Sequence, residues 1–256
     1  MTSAPQTPIP AATLVLFRER AGAAPELLMV ERAQTMAFAG GALVFPGGRI
    51  DPADHAHAER HIPGSSADWE QPARIAAIRE MVEEAGLPVG LSPLPDPQAL
   101  ASIRTGLHAG RPFADLLGNH DLTLDLAALT LFARWCPRHP HMRIFDTLFF
   151  LARLPDGSPD PEVDATENTR VFWQSARGVL DDADAGRVSI IFPTRCNLER
   201  LAQFASFDVA VEHAGRFPAR MVTPWVEERG GAPHLCIPDD LGYPITAVPM
   251  EGMRRG

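Results

Sequence analysis

The sequence predicts strands interleaved with helices: an α/β class, with α+β as the alternative. Three observations carry this. Apolar runs of strand length recur, at residues 11–17, 26–31 and 143–154. Between them, residues 71–86 place Ile75, Ile78, Val82 and Ala85 on one helical face and end on Gly86, a helix stop. The chain has 256 residues, 45% hydrophobic and 21% charged. That is ordinary for a soluble globular protein and enough to bury a substantial core.

In chain order, residues 1–10 read as a polar, proline-rich, disordered lead. Residues 11–17 form a buried strand and 26–31 its hairpin partner. Residues 42–45 form a short strand that delivers Gly47 and Gly48. Residues 55–70, polar and containing Pro63-Gly64, read as an exposed loop. Pro72 suits a first helical turn. Two short helices are expected at 97–108 and 112–119. Residues 127–135 fit helix or strand equally. The strongest later strand is 143–154, with another at 169–173. Ser175 is placed to cap a helix reaching about residue 184, and Thr194 starts a second helix at 193–204. From about residue 215 the chain reads as irregular. No internal repeat or sharp linker divides it. One domain over 11–256 is expected, with insertions at about 55–71 and 92–127.

Composition excludes several functions. The net charge of −9 argues against nucleic-acid backbones, which demand a basic footprint. Cys136, Cys196 and Cys236 are far apart and form no Cys-x-x-Cys pair, so buried free thiols are expected. No signal-like start or membrane-length apolar run is present, so the expected location is the cytoplasm.

The chemistry concentrates in residues 45–87. Phe45-Pro46-Gly47-Gly48 sets a glycine pair where a backbone can approach a ligand closely. Glu80, Glu83 and Glu84 follow on one helical turn at i, i+3 and i+4. Like charges at that spacing repel. Mg²⁺ or Mn²⁺ would offset the repulsion and, together with phosphates, explain the cluster. A solvated acidic face is the alternative for the glutamates taken alone.

These residues resemble the Nudix hydrolase signature, G-x5-E-x7-R-E-U-x-E-E-x-G-U, with U apolar. The stretch Arg79-Glu80-Met81-Val82-Glu83-Glu84-Ala85-Gly86-Leu87 matches its second half at every defined position. Gly48 matches the first glycine, and Asp54 stands where the pattern expects Glu. An insertion then separates Asp54 from Arg79. The segment from Arg32 to Asp54 is similar to the coenzyme A diphosphatase subgroup. The subgroup's pattern begins just before Arg32, and the chain departs from it at Met29, at Val30, which replaces a Thr, and at Ala37, where an Arg is expected. The insertion and the later strand resemble the longer, peroxisomal-type members, although the final Arg254-Arg255-Gly256 is no peroxisomal address.

The resemblance implies an α/β/α sandwich around a mixed sheet. It implies Mg²⁺- or Mn²⁺-dependent hydrolysis of a nucleoside diphosphate linked to another group, with a homodimer left open. Glu83, Glu84 and Glu80 would hold the metal, with the Gly47 carbonyl as a further ligand. Arg79 would orient the glutamates. Gly47, Gly48, Arg32 and Arg143 would meet substrate. The general base would come from the helix or from a later loop, where Glu162, Asp164 and Glu167 are candidates. The expected substrate is coenzyme A or an acyl derivative, with ADP-ribose, NADH or another nucleotide as alternatives. A catalytically silent nucleotide-binding regulator is the alternative of another class.

Three further groups have blander readings. His55, His57, His61 and Glu59 fit no zinc spacing and read as a solvated loop. Arg138, His139, His141 and Arg143 form a basic surface turn that could meet a phosphate. Trp135, Phe172 and Trp173 read as core aromatics rather than base-stacking ones.

Overall fold

The computed structural model describes residues 7–36, 39–61, 69–138, 143–164 and 166–250. In chain order it gives β1 (Ile9–Arg18), β2 (Glu26–Arg32), β3 (Ala42–Val44), β4 (Gly47–Arg49), α1 (Pro52–His61) and α2 (Glu70–Ala85). Next come β5 (Leu91–Ser92), α3 (Pro97–His108), α4 (Phe113–Gly118), β6 (Thr123–Leu124), β7 (Thr130–Trp135), β8 (Phe145–Arg153) and β9 (Asn168–Ser175). Then follow α5 (Ala176–Asp184), β10 (Ser189–Ile190), α6 (Phe192–Leu201), α7 (Phe207–Arg216), β11 (Met221–Val222), β12 (Trp225–Arg229), β13 (Ala232–Cys236) and β14 (Ala247–Pro249).

The main sheet is mixed and runs β10-β3-β2-β1-β8-β7-β11, with β9 on β2 and β4 on β1. β1 is its spine. It pairs in parallel with β8, from Ile9 opposite Phe145 to Phe17 opposite Arg153. On its other side β1 is shared. Phe17 and Arg18 pair with β2, while Ala11 to Thr13 pair with β4. Below Phe17, therefore, β2 and β1 part company, and β4 fills the gap.

Side chains alternate across a strand. Ala12, Leu14 and Leu16 of β1 enter one core, shared with α2, α3 and α4. Val15 and Phe17 enter a second core, shared with α5, α6 and α7. Helices thus cover both faces, an α/β/α sandwich. α2 is buried along most of its length, because the sheet lies on one side and α1 and α3 on others.

Local chemistry sets the boundaries. Asp96 caps α3 by accepting from the N–H groups of Gln98 and Ala99, both at 2.8 Å. Ser175 caps α5 by accepting from Gly178 N–H. Gly86 ends α2 in the left-handed region at φ +66°, with its N–H on the Val82 carbonyl and Leu87 N–H on that of Met81. Residues 127–135 resolve into a single 3-10 turn, Leu126–Ala128, followed by β7. All three cysteines are buried and free.

Four expectations are corrected. β1 begins at Ile9, inside the stretch read as a lead, because pairing with β8 extends to that residue. The stretch read as an exposed loop from 55 begins instead as helix α1, with His57 buried edge-on to Phe113; residues 62–68 lie outside the described part. α6 starts at Phe192, not at Thr194, since Pro193 sits in the first turn, where its missing N–H costs nothing. The segment read as irregular from 215 holds the end of α7, strand β11 and the antiparallel sheet β12-β13-β14. No described helix is long and apolar enough to cross a membrane.

Candidate active site

The site lies where β4 crosses the C-terminal half of α2. β4 approaches β1 so closely that a Cβ on Gly47 would fall 2.4 Å from the Ala12 carbonyl oxygen. A Cβ on Gly48 would fall 2.2 Å from Glu80 Oε1. The glycine pair therefore brings β4 against both the spine strand and the acidic helix.

Arg79 is the electrostatic centre. Its Nε and Nη2 donate to the two oxygens of Asp54 at 3.1 and 3.0 Å. Its Nη1 donates to Glu80 Oε1 at 2.7 Å and lies 3.6 Å from Glu83 Oε2. Its Nη2 also donates to the Arg49 carbonyl at 2.9 Å. Asp54 is 2% exposed. Burial works against the guanidinium charge, but Glu80 and Asp54 more than offset it, so Arg79 is held ionised. α1 carries Asp54 onto Arg79, so the first turn of this helix is tied to α2 by a buried ion pair. The inserted segment thus begins with an anchor for the acidic helix.

The three glutamates stand in different surroundings. Burial pushes the Glu80 carboxyl above the ordinary range, against the pull of Arg79. Glu84, 3% exposed, is pushed up by burial first and then by Glu80. It accepts from Gly47 N–H at 3.0 Å and from Asn168 Nδ2 at 3.2 Å. Glu83 is the more accessible one and is also raised by burial. His108 Nδ1, from α3, stands 3.9 Å from Glu83 Oε1. Arg104, one turn earlier, donates to the carbonyls of Glu83, Glu84 and Glu162 and so caps the end of α2.

The loop candidates separate. Glu162 is exposed; its N–H donates to the Ala85 carbonyl, and its carboxylate lies 3.5 Å from Arg104 Nη1. Asp164 Oδ1 gathers the N–H groups of Thr166, Glu167 and Asn168 and so folds the loop. Glu167 is half exposed, with Oε2 3.6 Å from Arg32 Nη2. Its charge reaches Glu83. Arg32 thus lies at the site, and its charge reaches Glu84. Arg143 is exposed ahead of β8, and among the described residues no hydrogen bond or ion pair joins it to the α2 carboxylates. Arg138 is exposed too, while His139 and His141 lie outside the described part. Trp135 is buried and donates to Tyr243. Arg18 covers the Trp173 ring at 4.4 Å and Arg170 covers Phe172 at 4.3 Å.

Among the described residues no three His, Cys, Asp or Glu side chains are gathered as a formed metal centre. Glu80 is turned onto Arg79, and Glu84 onto Gly47 and Asn168. The donor set still fits a hard divalent cation. Three carboxylates share one helical turn, and burial biases them toward holding protons that a cation can replace. Asn168 Oδ1 and Arg32 Nε, beside them, are buried without a hydrogen-bond partner.

Asn168, His108 and Arg104 escaped the sequence reading. An Arg-x3-His pair on α3 was a readable signal. A single Asn in an acidic loop was not.

No family model matches the chain. A solved structure does: a NUDIX hydrolase from Alicyclobacillus acidocaldarius superposes with a TM-score of 0.69 and 28% identity, covering 82% of this chain and 97% of that one. The chain is similar to Nudix hydrolases in both sequence and fold. Curated Nudix relatives agree. The acyl-coenzyme A diphosphatase of Homo sapiens is 28% identical over 70% of this chain. The Caenorhabditis elegans protein named nudix hydrolase 7 is 26% identical over 73%. The chain spans 61% and 59% of the length of these two relatives.

Proposed function

We propose that this chain hydrolyses the diphosphate bond of a nucleoside diphosphate derivative in the presence of Mg²⁺ or Mn²⁺, and that coenzyme A or acyl-coenzyme A is its substrate. The products would be 3′,5′-ADP and the (acyl-)4′-phosphopantetheine. The observation that carries the reading is the convergence of Glu80, Glu83 and Glu84 with the Gly47-Gly48 turn. This brings carboxylates and a bare backbone edge together at one place. Glu83, Glu84 and Glu80 would hold the cation, with the Gly47 carbonyl beside them. When bound, it would polarise a phosphoryl oxygen and make a water acidic enough to attack. Arg79 keeps the glutamates in place. Arg32 would meet a phosphate. Glu167, half exposed beside Arg32, would take the proton of the attacking water, with Glu83 as the competing base.

Two supports favour coenzyme A among nucleotides. One is the segment from Arg32 to Asp54. The other is the likeness to the human acyl-coenzyme A diphosphatase over most of this chain. Incubation with coenzyme A, acetyl-coenzyme A, ADP-ribose and NADH plus Mg²⁺ or Mn²⁺, read by mass spectrometry, tests it. Release of 3′,5′-ADP from coenzyme A is expected. Cleavage of the other compounds alone would replace the substrate. Absence of turnover on all would favour a nucleotide-binding regulator. Glu83→Gln should lower turnover at least about 100-fold, no less than loss of outer-shell groups does.

A further inference from the structure

We propose that Asn168 is a positioning residue: its side-chain amide, with Gly47 N–H, holds Glu84 in the orientation that accepts a divalent cation. The inference rests on the Nudix reading of the α2 carboxylates. Glu84 is clamped at both oxygens, by Asn168 Nδ2 on Oε1 and Gly47 N–H on Oε2. Neither donor carries charge, so these two hydrogen bonds aim the carboxyl group without themselves supplying a counter-charge.

The delivery of Asn168 is specific. The β2–β9 register shifts between Glu31 and Arg32: Glu31 faces Arg170, yet Arg32 faces Asn168. Such a bulge re-aims a side chain. Asn168 is 1% exposed between exposed Glu167 and Thr169. Asp164 fixes the backbone on the loop side by accepting Asn168 N–H at 3.1 Å. The loop therefore turns one polar side chain inward, onto a carboxylate of α2. Its Oδ1 is buried with no partner. An unmade hydrogen bond of this kind is costly unless a ligand completes it. A water carried by a hydrated cation is the chemistry that would do so, since Mg²⁺ keeps several of its waters.

Mn²⁺ titration followed by electron paramagnetic resonance tests this without turnover. Asn168→Leu keeps the shape and removes the donor. Its Mn²⁺ affinity should fall roughly 10- to 100-fold, while its thermal midpoint without metal stays near that of the parent. Asn168→Gln, which retains an amide, should recover part of the affinity. An Asn168→Leu protein that is folded and binds Mn²⁺ like the parent would overturn the proposal, provided Glu84→Gln weakens binding. If Glu84→Gln and Glu80→Gln also bind like the parent, the metal reading of α2 fails instead, and this inference with it. Should Asn168→Leu not fold, Asn168→Ser, whose hydroxyl is too short to reach Glu84, is judged by the same affinity.

Discussion

Gly47 and Gly48 are adjacent and alike, yet each is glycine for its own reason. A Cβ at 47 would meet main chain: the Ala12 oxygen at 2.4 Å and Thr13 Cα at 2.7 Å. Neither can yield without prising β4 from β1. A Cβ at 48 would meet only the far end of Glu80. Gly47→Ala should therefore destabilise the fold by about 1–3 kcal/mol, the usual cost of overpacking. Gly48→Ala should cost less stability but swing Glu80 aside and weaken Mn²⁺ binding. Urea unfolding and Mn²⁺ titration of both variants check this. Equal destabilisation, or parent-like Mn²⁺ binding by Gly48→Ala, would contradict the geometry. Sequence alone suggested close approach to a ligand at both positions. The neighbours that demand glycine are in fact a strand and a side chain, which pattern reading cannot see.

Among the elements, α2 was legible because its information is local: an apolar face, a glycine stop and three glutamates within one turn. α1 was not, because it has no apolar stripe. It is made helical by Asp54, which accepts Asp51 N–H at 2.9 Å at its first turn, and by packing against α2. α7 carries a local signal in its sequence, Ser206 as cap with Phe207, Ala210 and Ala214 at helical spacing. Strand β12 is exposed along its whole length, so no alternation marked it. The importance of Asp54 likewise follows from tertiary contact. Asp54→Asn removes the carboxylate facing a buried guanidinium, leaving Arg79 with Glu80, the more distant Glu83 and Asp51, and the Arg49 carbonyl. Breaking a buried pair costs about 3–5 kcal/mol. The remaining partners put the expected loss near the lower end, about 3 kcal/mol. Urea denaturation measures it, and a loss under about 1 kcal/mol would show that α1 does not anchor the acidic helix.

At the scale of the molecule, buried carboxyls on one side of the sheet and a histidine on the other respond oppositely to protons. On the α2 face, Glu80 and Glu84 are raised by burial. The folded state holds protons there that the unfolded chain has released, so rising pH weakens that face when no cation is present. On the opposite face, His213 sits between the Phe204 and Phe217 rings, each with its centroid 4.7 Å away, and near Arg200 Nη2 at 3.3 Å. Burial, then Arg200 and Arg216, lower its pKa. The unfolded histidine, titrating near pH 6.5, takes up a proton that the folded one resists. Its contribution is complete above that pH and is lost as pH falls toward the lowered folded value. Because the raised carboxyls, Glu199 on this same side among them, act in the opposite direction, the wild-type profile alone cannot isolate His213. The difference between wild type and His213→Gln can. Urea unfolding at pH 7.5, 6.5, 5.8 and 5.0 should show the wild type losing ground to the variant at each step down. Parallel profiles would mean that His213 is protonated as easily in the folded protein as outside it, and that the Arg200 contact does not act on it.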